Sequence, residues 1–359
     1  MPSRRLRHRA LDVPARDRGS QAHRERNAPV NPPGDLDAIL DGWRLPRPRT
    51  IAPAREGYQN TTLFVSCASG EYVLKIYSNV ADLAHRRFEH ELLARLALAE
   101  LPFGVPRPVP GTDANTLRFV DGRPAVLFAR IEGEALPKDG GAHLQPAAAA
   151  LARLDAVLAE LGHFDHRPPR FEGDLERVHP FVDDIGEAVE DSGLDVSQAR
   201  LLHRAMDRAS ELAAPVYASL PRQVTHGDFA FGNTLVKDGV VTGLVDFEHA
   251  GIDVRAMDLA AALYRFPAHE NALGECESFG YAYGAVLPLD ITEVAALPAL
   301  LLVRSGVFVA HWVGRYRAGL ATIDEVRPRA ARALFTADWV EENGSELVRR
   351  AMGWIGERV

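Results

Sequence analysis

The sequence has few of the residues that build disulfide frameworks or zinc sites. Its 359 residues include only two cysteines, Cys67 and Cys276, which are far apart and form no CxxC pair. This number excludes a disulfide framework, and the spacing does not indicate a metal or redox pair. None of the thirteen histidines lies in an HExxH pattern, so a zinc hydrolase is not indicated.

Common nucleotide-binding and membrane signatures are missing too. No GxxxxGK(S/T) segment occurs, which excludes the phosphate cradle of P-loop enzymes. No GxGxxG follows a predicted strand, so dinucleotide binding is unsupported. The sequence contains no run of about eighteen apolar residues, and no membrane span is predicted.

Charge is unevenly distributed along the chain. The net charge of −8 gives no general support to a nucleic-acid partner, and an acidic surface suits either solubility or a cationic substrate. Residues 1–28 hold eight arginines against three acidic residues, without the apolar segment of a secretory signal. We expect residues 1–34 to form a disordered basic tail and the protein to be cytoplasmic.

The apolar pattern divides the remaining chain into two parts. Residues 35–131 are predicted to form a small β-rich lobe, and residues 132–359 a larger, mostly helical lobe. The first lobe has predicted helices at 35–43 and 81–100 and strands at 61–66, 71–77, 117–120 and 125–130. The second has predicted helices at 145–161, 195–220, 257–266, 269–285, 292–320 and 338–355.

The most informative stretch interrupts this helical part. It reads His-Gly-Asp-Phe-Ala-Phe-Gly-Asn at residues 226–233, followed by Val-Asp-Phe-Glu at residues 245–248. Apolar runs at 234–236 and 240–245 lie between them, joined by Asp-Gly at 238–239. This pattern predicts two short strands connected by a turn.

Such a hairpin brings Asp228, Asn233 and Asp246 to one edge. Phosphoryl transfer needs this set, because one carboxylate takes the proton of the attacking hydroxyl. The amide oxygen and the other carboxylate hold the magnesium that neutralises a triphosphate. Each aspartate taken alone is also typical of a turn cap, so the prediction depends on the whole set.

The order and spacing of these residues resemble the aminoglycoside phosphotransferase family, which includes homoserine kinase and choline kinase. The resemblance covers roughly residues 50–320. It implies an α+β, protein-kinase-like bilobed fold with a small β-rich N-lobe and a larger helical C-lobe. It also implies that ATP and Mg²⁺ are the cofactors, although the sequence does not distinguish ATP from GTP.

The resemblance also implies where the nucleotide binds. Lys75, on a predicted strand, would contact the α- and β-phosphates, and Glu89 on the following helix would steady it, with Glu91 as the alternative. The adenine would lie against a hinge at residues 128–131. The further nucleotide-binding residues predicted are Gly57 and Asn60 in the phosphate-covering turn and Ala129 and Ile131 in the hinge.

At the hairpin, the predicted catalytic residue is Asp228, and the predicted metal ligands are Asn233, Asp246 and Glu248. Glu248 would reach a second metal directly or through water. Three neighbouring residues have predicted structural roles. His226 would bond to backbone near Asp246, Gly227 would permit a tight turn, and Asp258 would start a helix and bond to the catalytic loop.

The predicted activity is transfer of phosphate from ATP to a hydroxyl of a small, amine-bearing metabolite or antibiotic. Homoserine-like amino alcohols come first and aminoglycosides second. The acceptor would lie near residues 304–320, where a predicted helix carries Arg304, Phe308, His311, Trp312 and Arg315. The alternative interpretation of this segment is a core helix whose arginines pair with acidic neighbours.

Two other functions remain open at this point. One is a catalytically silent nucleotide-binding protein on the same fold. The other, a protein serine/threonine kinase, is disfavoured because no long insertion separates Asp246 from Asp258. The expected partner is a small-molecule substrate, with no nucleic acid or membrane, and the protein is expected to be a monomer or homodimer.

Overall fold

The computed structural model describes residues 35–54, 60–77, 83–137 and 140–355. The predicted basic tail at 1–34 and the predicted phosphate-binding residue Gly57 lie outside these ranges.

An antiparallel sheet of six strands forms the first part of the described chain. Its strands are β1 (Thr50–Pro53), β2 (Thr61–Cys67), β3 (Gly70–Ile76), β4 (Arg107–Pro108), β5 (Arg118–Val120) and β6 (Arg123–Ala129). They lie in the order β1-β2-β3-β6-β4, and β5 also pairs with β6. Two helices accompany the sheet, α1 (Leu36–Asp41) and α2 (Leu83–Leu96).

The two faces of β3 pack against different groups of residues. Leu74 and Ile76 belong to the apolar cluster that includes residues of α1. Val73 and Tyr77 belong instead with the cluster that includes Phe88 of α2. Since side chains alternate along a strand, Lys75 lies on the face of Val73 and Tyr77, as the alternation predicts.

The second part is mostly helical, which confirms the predicted fold class. Its helices are α3 (Leu144–Glu160), α4 (Ile185–Glu190), α5 (Val196–Ser219), α6 (Ala256–Leu263), α7 (Ala272–Gly284), α8 (Ile291–Arg317) and α9 (Ile323–Ala351). Short strands complete it: β7 (Glu134–Ala135), β8 (Arg222–Thr225), β9 (Thr234–Lys237), β10 (Val240–Leu244) and β11 (Gly251–Val254). The sheets are β10-β9-β7 and β11-β8. The lobe boundary after residue 131 stays a prediction.

Helix α9 begins well before the predicted residue 338. Thr322 and Glu325 form a reciprocal capping box at its start. Pro328 lies inside the helix, where it removes one backbone hydrogen bond. Buried Val326 and Ala330 hold these first turns against the protein, so packing outweighs the loss.

Helix α8 is long and apolar enough to cross a membrane by length and composition, which the count of apolar residues did not anticipate. Within its most apolar window, 67% of the residues are buried inside the protein. A helix with this burial is typical of a core helix. It places Arg304 close to the loop that carries Asp228.

Candidate active site

The predicted hairpin lies at the centre of the site. Strands β9 and β10 pair antiparallel, with Lys237 opposite Val240. Asp238 and Gly239, which connect them, have φ values of +52° and +79°. Two successive residues in this region are typical of a type I′ turn, which Asp-Gly favours. The predicted hairpin is therefore confirmed.

Asp258 anchors the loop at 226–233 that leads into β9. Its carboxylate, in the first turn of α6, accepts hydrogen bonds from the backbone N–H of His226 at 2.5 Å and of Gly227 at 2.9 Å. The His226 Nε2 lies 3.1 Å from the backbone oxygen of Val245. These contacts confirm the backbone bonding predicted for Asp258 and His226, but α6 begins at Ala256 after Arg255, so Asp258 does not cap the helix.

A second buried carboxyl group, Asp155 of α3, supports this anchor. It is fully buried and accepts a hydrogen bond from the Tyr283 hydroxyl at 2.7 Å. Burial, and next the negative charge of Asp258, raise the pKa of Asp155 well above its ordinary value. Burial and the neighbouring Asp258 carboxylate thus both favour the neutral form of Asp155.

Asp228 follows directly in the loop, with its side chain 28% exposed. Its Oδ1 accepts a hydrogen bond from Arg304 Nη2 at 2.6 Å. Burial raises the pKa of Asp228, but Arg304, His249 and Arg265 outweigh burial and hold this pKa at about 2. Asp228 is therefore a charged hydrogen-bond acceptor at neutral pH, suited to orienting a hydroxyl group.

The predicted metal ligands flank the hairpin. The Asn233 Nδ2 donates to the backbone oxygen of Asp228 at 3.0 Å, which leaves its amide oxygen as the group able to bind a metal. Asp246 follows β10 with a φ of +72°. Aspartate tolerates this left-handed region better than most residues, and such strain clusters at functional sites.

Lys75 joins the sheet to these carboxylates. Its Nζ lies 2.6 Å from Asp246 Oδ1 and 2.9 Å from Glu248 Oε2. Asn60 Nδ2 donates to the same Glu248 oxygen at 2.6 Å. Burial lowers the pKa of Lys75, but Asp246 and Glu248 outweigh burial and raise it above its ordinary value. The structure thus brings together four residues predicted from distant parts of the sequence.

Glu89 does not make the ion pair with Lys75 that the family resemblance implies. Its carboxylate pairs with Arg86 Nη1 at 2.6 Å and accepts from the Tyr77 hydroxyl at 3.3 Å. Arg86 lies one helical turn before Glu89, so the two side chains are neighbours on the helix surface and pair with each other. The alternative, Glu91, accepts instead from backbone N–H groups of Asp165 and His166. A nucleotide-binding role for Glu89 stays a prediction.

The predicted hinge residues lie where the sheet meets the hairpin. Ala129 ends β6 and pairs with Tyr72 of β3. The Ile131 side chain packs against Gly104 and against Gly243 of β10. These contacts put Ile131 beside the hairpin that carries the predicted metal ligands, while adenine binding at Ala129 and Ile131 stays a prediction.

The residues present fit a hard divalent cation. Asn233, Asp246 and Glu248 offer only oxygen donors, which magnesium prefers, and magnesium also keeps several water and phosphate ligands. Lys75 lies against both carboxylates but offsets only one of them with its single positive charge, so this position attracts a further cation. Within the described ranges, no group of three or more His, Cys, Asp or Glu residues has metal-binding geometry, so the amide is needed.

Two basic residues beside Asp228 were not predicted from the sequence. Arg265 follows α6, and His249 follows Glu248; both act electrostatically on Asp228. Neither belongs to the spaced motif, and a single arginine after a helix carries no recognisable signal. Only the packing of α6 against α8 shows that Arg265 belongs to the site.

The chain matches the phosphotransferase enzyme family over residues 50–287, and it belongs to that family. It is accordingly a small-molecule kinase, as predicted. Similar proteins include the homoserine kinase of Acidiphilium cryptum, 28% identical over 269 residues that cover 74% of this chain and 81% of that protein. The homoserine kinase of Methylobacillus glycogenes is 28% identical and covers 77% and 82%.

Solved structures show the same fold at lower identity. A microcompartment-associated aminopropanol kinase has a TM-score of 0.70 and 20% identity, covering 87% of this chain and 98% of that chain. An amicoumacin kinase in complex with AMP-PNP, Ca²⁺ and Ami has a TM-score of 0.64 and 14% identity, covering 85% and 94%.

Gly227 and Gly239 allow a matched test of the loop. Both have positive φ, of +77° and +79°. A Cβ at Gly227 would clash with the backbone oxygen of His249, whereas one at Gly239 would meet no atom within 4 Å. We expect Gly239→Ala to lower the unfolding free energy by about 1 kcal/mol through backbone strain alone. Gly227→Ala should lower it by at least about 2 kcal/mol more and reduce activity, because overpacking is added. Equal urea denaturation midpoints for the two variants would contradict the expected clash at Gly227.

Because Asp253 of β11 has a raised pKa, we expect the unfolding free energy of the protein to depend on pH. Asp253 is buried and accepts a hydrogen bond from the Tyr217 hydroxyl at 2.7 Å. Burial raises the pKa of Asp253 from 3.8 to about 7, and the bonds from Tyr217 and Val254 offset only part of this. The native state therefore keeps a proton that the unfolded chain releases, so the unfolding free energy falls as pH rises from 3.8 to about 7.

We expect Asp253→Asn to make this fall less steep in urea titrations across that range. Asp155 contributes with the same sign, so the slope should decrease without vanishing. Asp238→Asn, in the exposed hairpin turn, is the control and should leave the slope unchanged. A slope that is the same in Asp253→Asn and the unmodified protein would refute the assignment.

Proposed function

We propose that the chain is an ATP- and magnesium-dependent kinase for a hydroxyl of a small, amine-bearing metabolite. A homoserine-like amino alcohol is the first candidate acceptor. Similar proteins named homoserine kinase and a structural neighbour named aminopropanol kinase both support an amine-bearing alcohol. The neighbour in complex with AMP-PNP and Ca²⁺ supports the use of a nucleotide with a divalent cation.

One observation carries the proposal. Lys75 reaches Asp246 and Glu248 at 2.6 and 2.9 Å, beside the loop that holds Asp228 and Asn233. A cation from the sheet and carboxylates from the hairpin thus share one site, as phosphate and metal binding require. A set of turn-capping aspartates would not need a lysine from another part of the chain.

The proposed reaction is a direct transfer. The acceptor oxygen forms a bond to the γ-phosphorus of ATP while the bond to the bridging oxygen breaks, and that electron pair leaves with ADP. The hydroxyl proton passes to Asp228 or to solvent. Asp228 orients the hydroxyl, and Arg304 holds Asp228 in place at 2.6 Å. Magnesium, when bound, neutralises phosphate charge; Asn233, Asp246 and Glu248 would hold it.

Replacing Asp228 tests the transfer step. Asp228→Ala and the isosteric Asp228→Asn should lower kcat by about 100- to 10,000-fold, because each removes the group that orients and deprotonates the hydroxyl. ATP binding, measured by calorimetry, should remain largely intact. Asp238→Asn removes a carboxylate from the turn of the same hairpin and should leave kcat unchanged. Full activity in Asp228→Asn would remove Asp228 from the catalytic role.

Replacing Asp246 tests the metal site. Asp246→Ala should abolish magnesium-dependent nucleotide binding. Asp246→Asn should weaken it strongly, and it separates charge from backbone strain because asparagine also tolerates a φ of +72°. Calorimetric titration of AMP-PNP with and without Mg²⁺ measures the effect. If Mg²⁺ enhances binding equally in the variants and in the unmodified protein, Asp246 is not a metal ligand.

A further inference from the structure

Three arginines surround two aromatic rings beside Asp228. The Arg304 and Arg265 guanidinium carbons lie 4.5 and 5.7 Å from the centroid of the Phe308 ring. The Tyr264 ring stacks on Phe308 at 5.5 Å, and the Arg332 guanidinium carbon lies 4.8 Å from the Tyr264 centroid. We call Arg265, Arg304 and Arg332 the arginine cluster.

The members of the arginine cluster differ in their partners. Arg304 donates to Asp228 and to the backbone oxygen of Gly227. Arg332 donates to the backbone oxygens of Tyr264 and Arg265. Among the residues that the structure describes, no carboxylate pairs with Arg265, and its Nε, like those of Arg304 and Arg332, is buried without a hydrogen-bond partner. Within those residues Arg265 is therefore a half-buried cation without a paired carboxylate.

A half-buried guanidinium without an anion is costly, because burial penalises charge that is not paired. Burial, together with the charges of Arg304 and Arg332, lowers the pKa of Arg265, and Asp228 only partly opposes this. Arg265 follows the C-terminal end of α6, whose partial negative charge favours a cation. This helix end does not explain why three arginines gather here or why the Arg265 Nε has no hydrogen-bond partner.

The position of Arg265 relates it to the acceptor. Arg265 and Arg304 both lie against the Phe308 ring, at 5.7 and 4.5 Å from its centroid, and Arg304 donates to Asp228 at 2.6 Å. Asp228 is the carboxylate proposed to orient the acceptor hydroxyl. If the hydroxyl of a small acceptor faces Asp228, a second polar group of the same molecule would lie close to Arg265. The planar guanidinium binds carboxylates through two parallel hydrogen bonds.

Resting on the proposed function, we infer that the acceptor carries a carboxylate and that Arg265 binds it. The acceptor class is then a hydroxy amino acid, and not an amino alcohol without a carboxylate or a polycationic aminoglycoside. Positive charge of the arginine cluster would repel the additional ammonium groups of an aminoglycoside. Arg265 is thus a specificity-determining residue for the proposed reaction.

The test compares acceptors that differ only by the carboxylate. Three pairs are suitable: serine with ethanolamine, threonine with 1-amino-2-propanol, and homoserine with 3-amino-1-propanol. ADP release is measured for each compound with Mg²⁺ and ATP. We expect the carboxylate member of at least one pair to be phosphorylated with a kcat/KM at least about 10-fold above its partner.

Variants of Arg265 connect this preference to the residue. Arg265→Met should raise KM for the carboxylate acceptor by about 10- to 100-fold. The matching amino alcohol, which lacks the carboxylate, reports only the action of Arg265 on Asp228 and should be affected much less. Arg265→Lys should restore part of the loss. Arg317→Met, which removes an exposed arginine at the end of α8, controls for the change in net charge and should have no effect.

Several outcomes would overturn the inference while leaving the kinase activity established. These are preferred phosphorylation of the amino alcohols that lack the carboxylate or of an aminoglycoside, or an equal loss for both members of a pair in Arg265→Met. An equal loss would mean that Arg265 acts only on Asp228. If Arg265→Met does not fold, the comparison of pairs with the unmodified protein decides.

If no compound is phosphorylated, the proposed function fails, and calorimetry still tests the inference. Binding of the three amino acids and of the matching amino alcohols without a carboxylate is then measured in the presence of AMP-PNP and Mg²⁺. Selective binding of a carboxylate member that is lost in Arg265→Met supports the inference. Equal binding or no binding of both members overturns it.

Discussion

The site depends on one electrostatic contact, in which the Lys75 ammonium lies between the carboxylates of Asp246 and Glu248. The lysine belongs to the sheet, and the carboxylates belong to the hairpin segment of the helical part. The Lys75 and Glu248 side chains are only 12% and 10% exposed, and removing one partner of a buried pair typically costs about 3–5 kcal/mol, because the remaining charge is left uncompensated. The three side chains therefore link the sheet to the hairpin segment of the helical part.

Buried carboxyl groups hold the loop at 226–233 behind this contact. Asp258 accepts hydrogen bonds from the backbone N–H groups of His226 and Gly227, and the fully buried Asp155, whose pKa is raised by burial and by Asp258, lies behind it. The loop is thus positioned through its backbone, so its side chains remain available for ligands. This division of roles explains why a compact motif needs support from α3 and α6, which are distant in sequence.

Features of the site that depend on local signals could be predicted from the sequence. The Asp-Gly turn predicts the hairpin because both residues accept positive φ, and alternation along β3 predicts the face on which Lys75 lies. Features that depend on packing could not be predicted. Glu89 forms an ion pair with Arg86, which lies one helical turn away. Arg265 comes close to the site only because α6 packs against α8. The early start of α9 likewise follows from buried contacts that outweigh the proline in its second turn.

The contact between Arg304 and Asp228 has a consequence for the timing of proton movement. A carboxylate whose pKa is about 2 is a weak base and gains little from taking a proton off an alcohol that has not begun to react. The hydroxyl becomes acidic enough only as its oxygen bonds to phosphorus, late on the reaction coordinate of a loose transition state. In the proposed reaction the proton therefore leaves last, and Asp228 contributes chiefly by aiming a lone pair of the acceptor oxygen at the phosphorus.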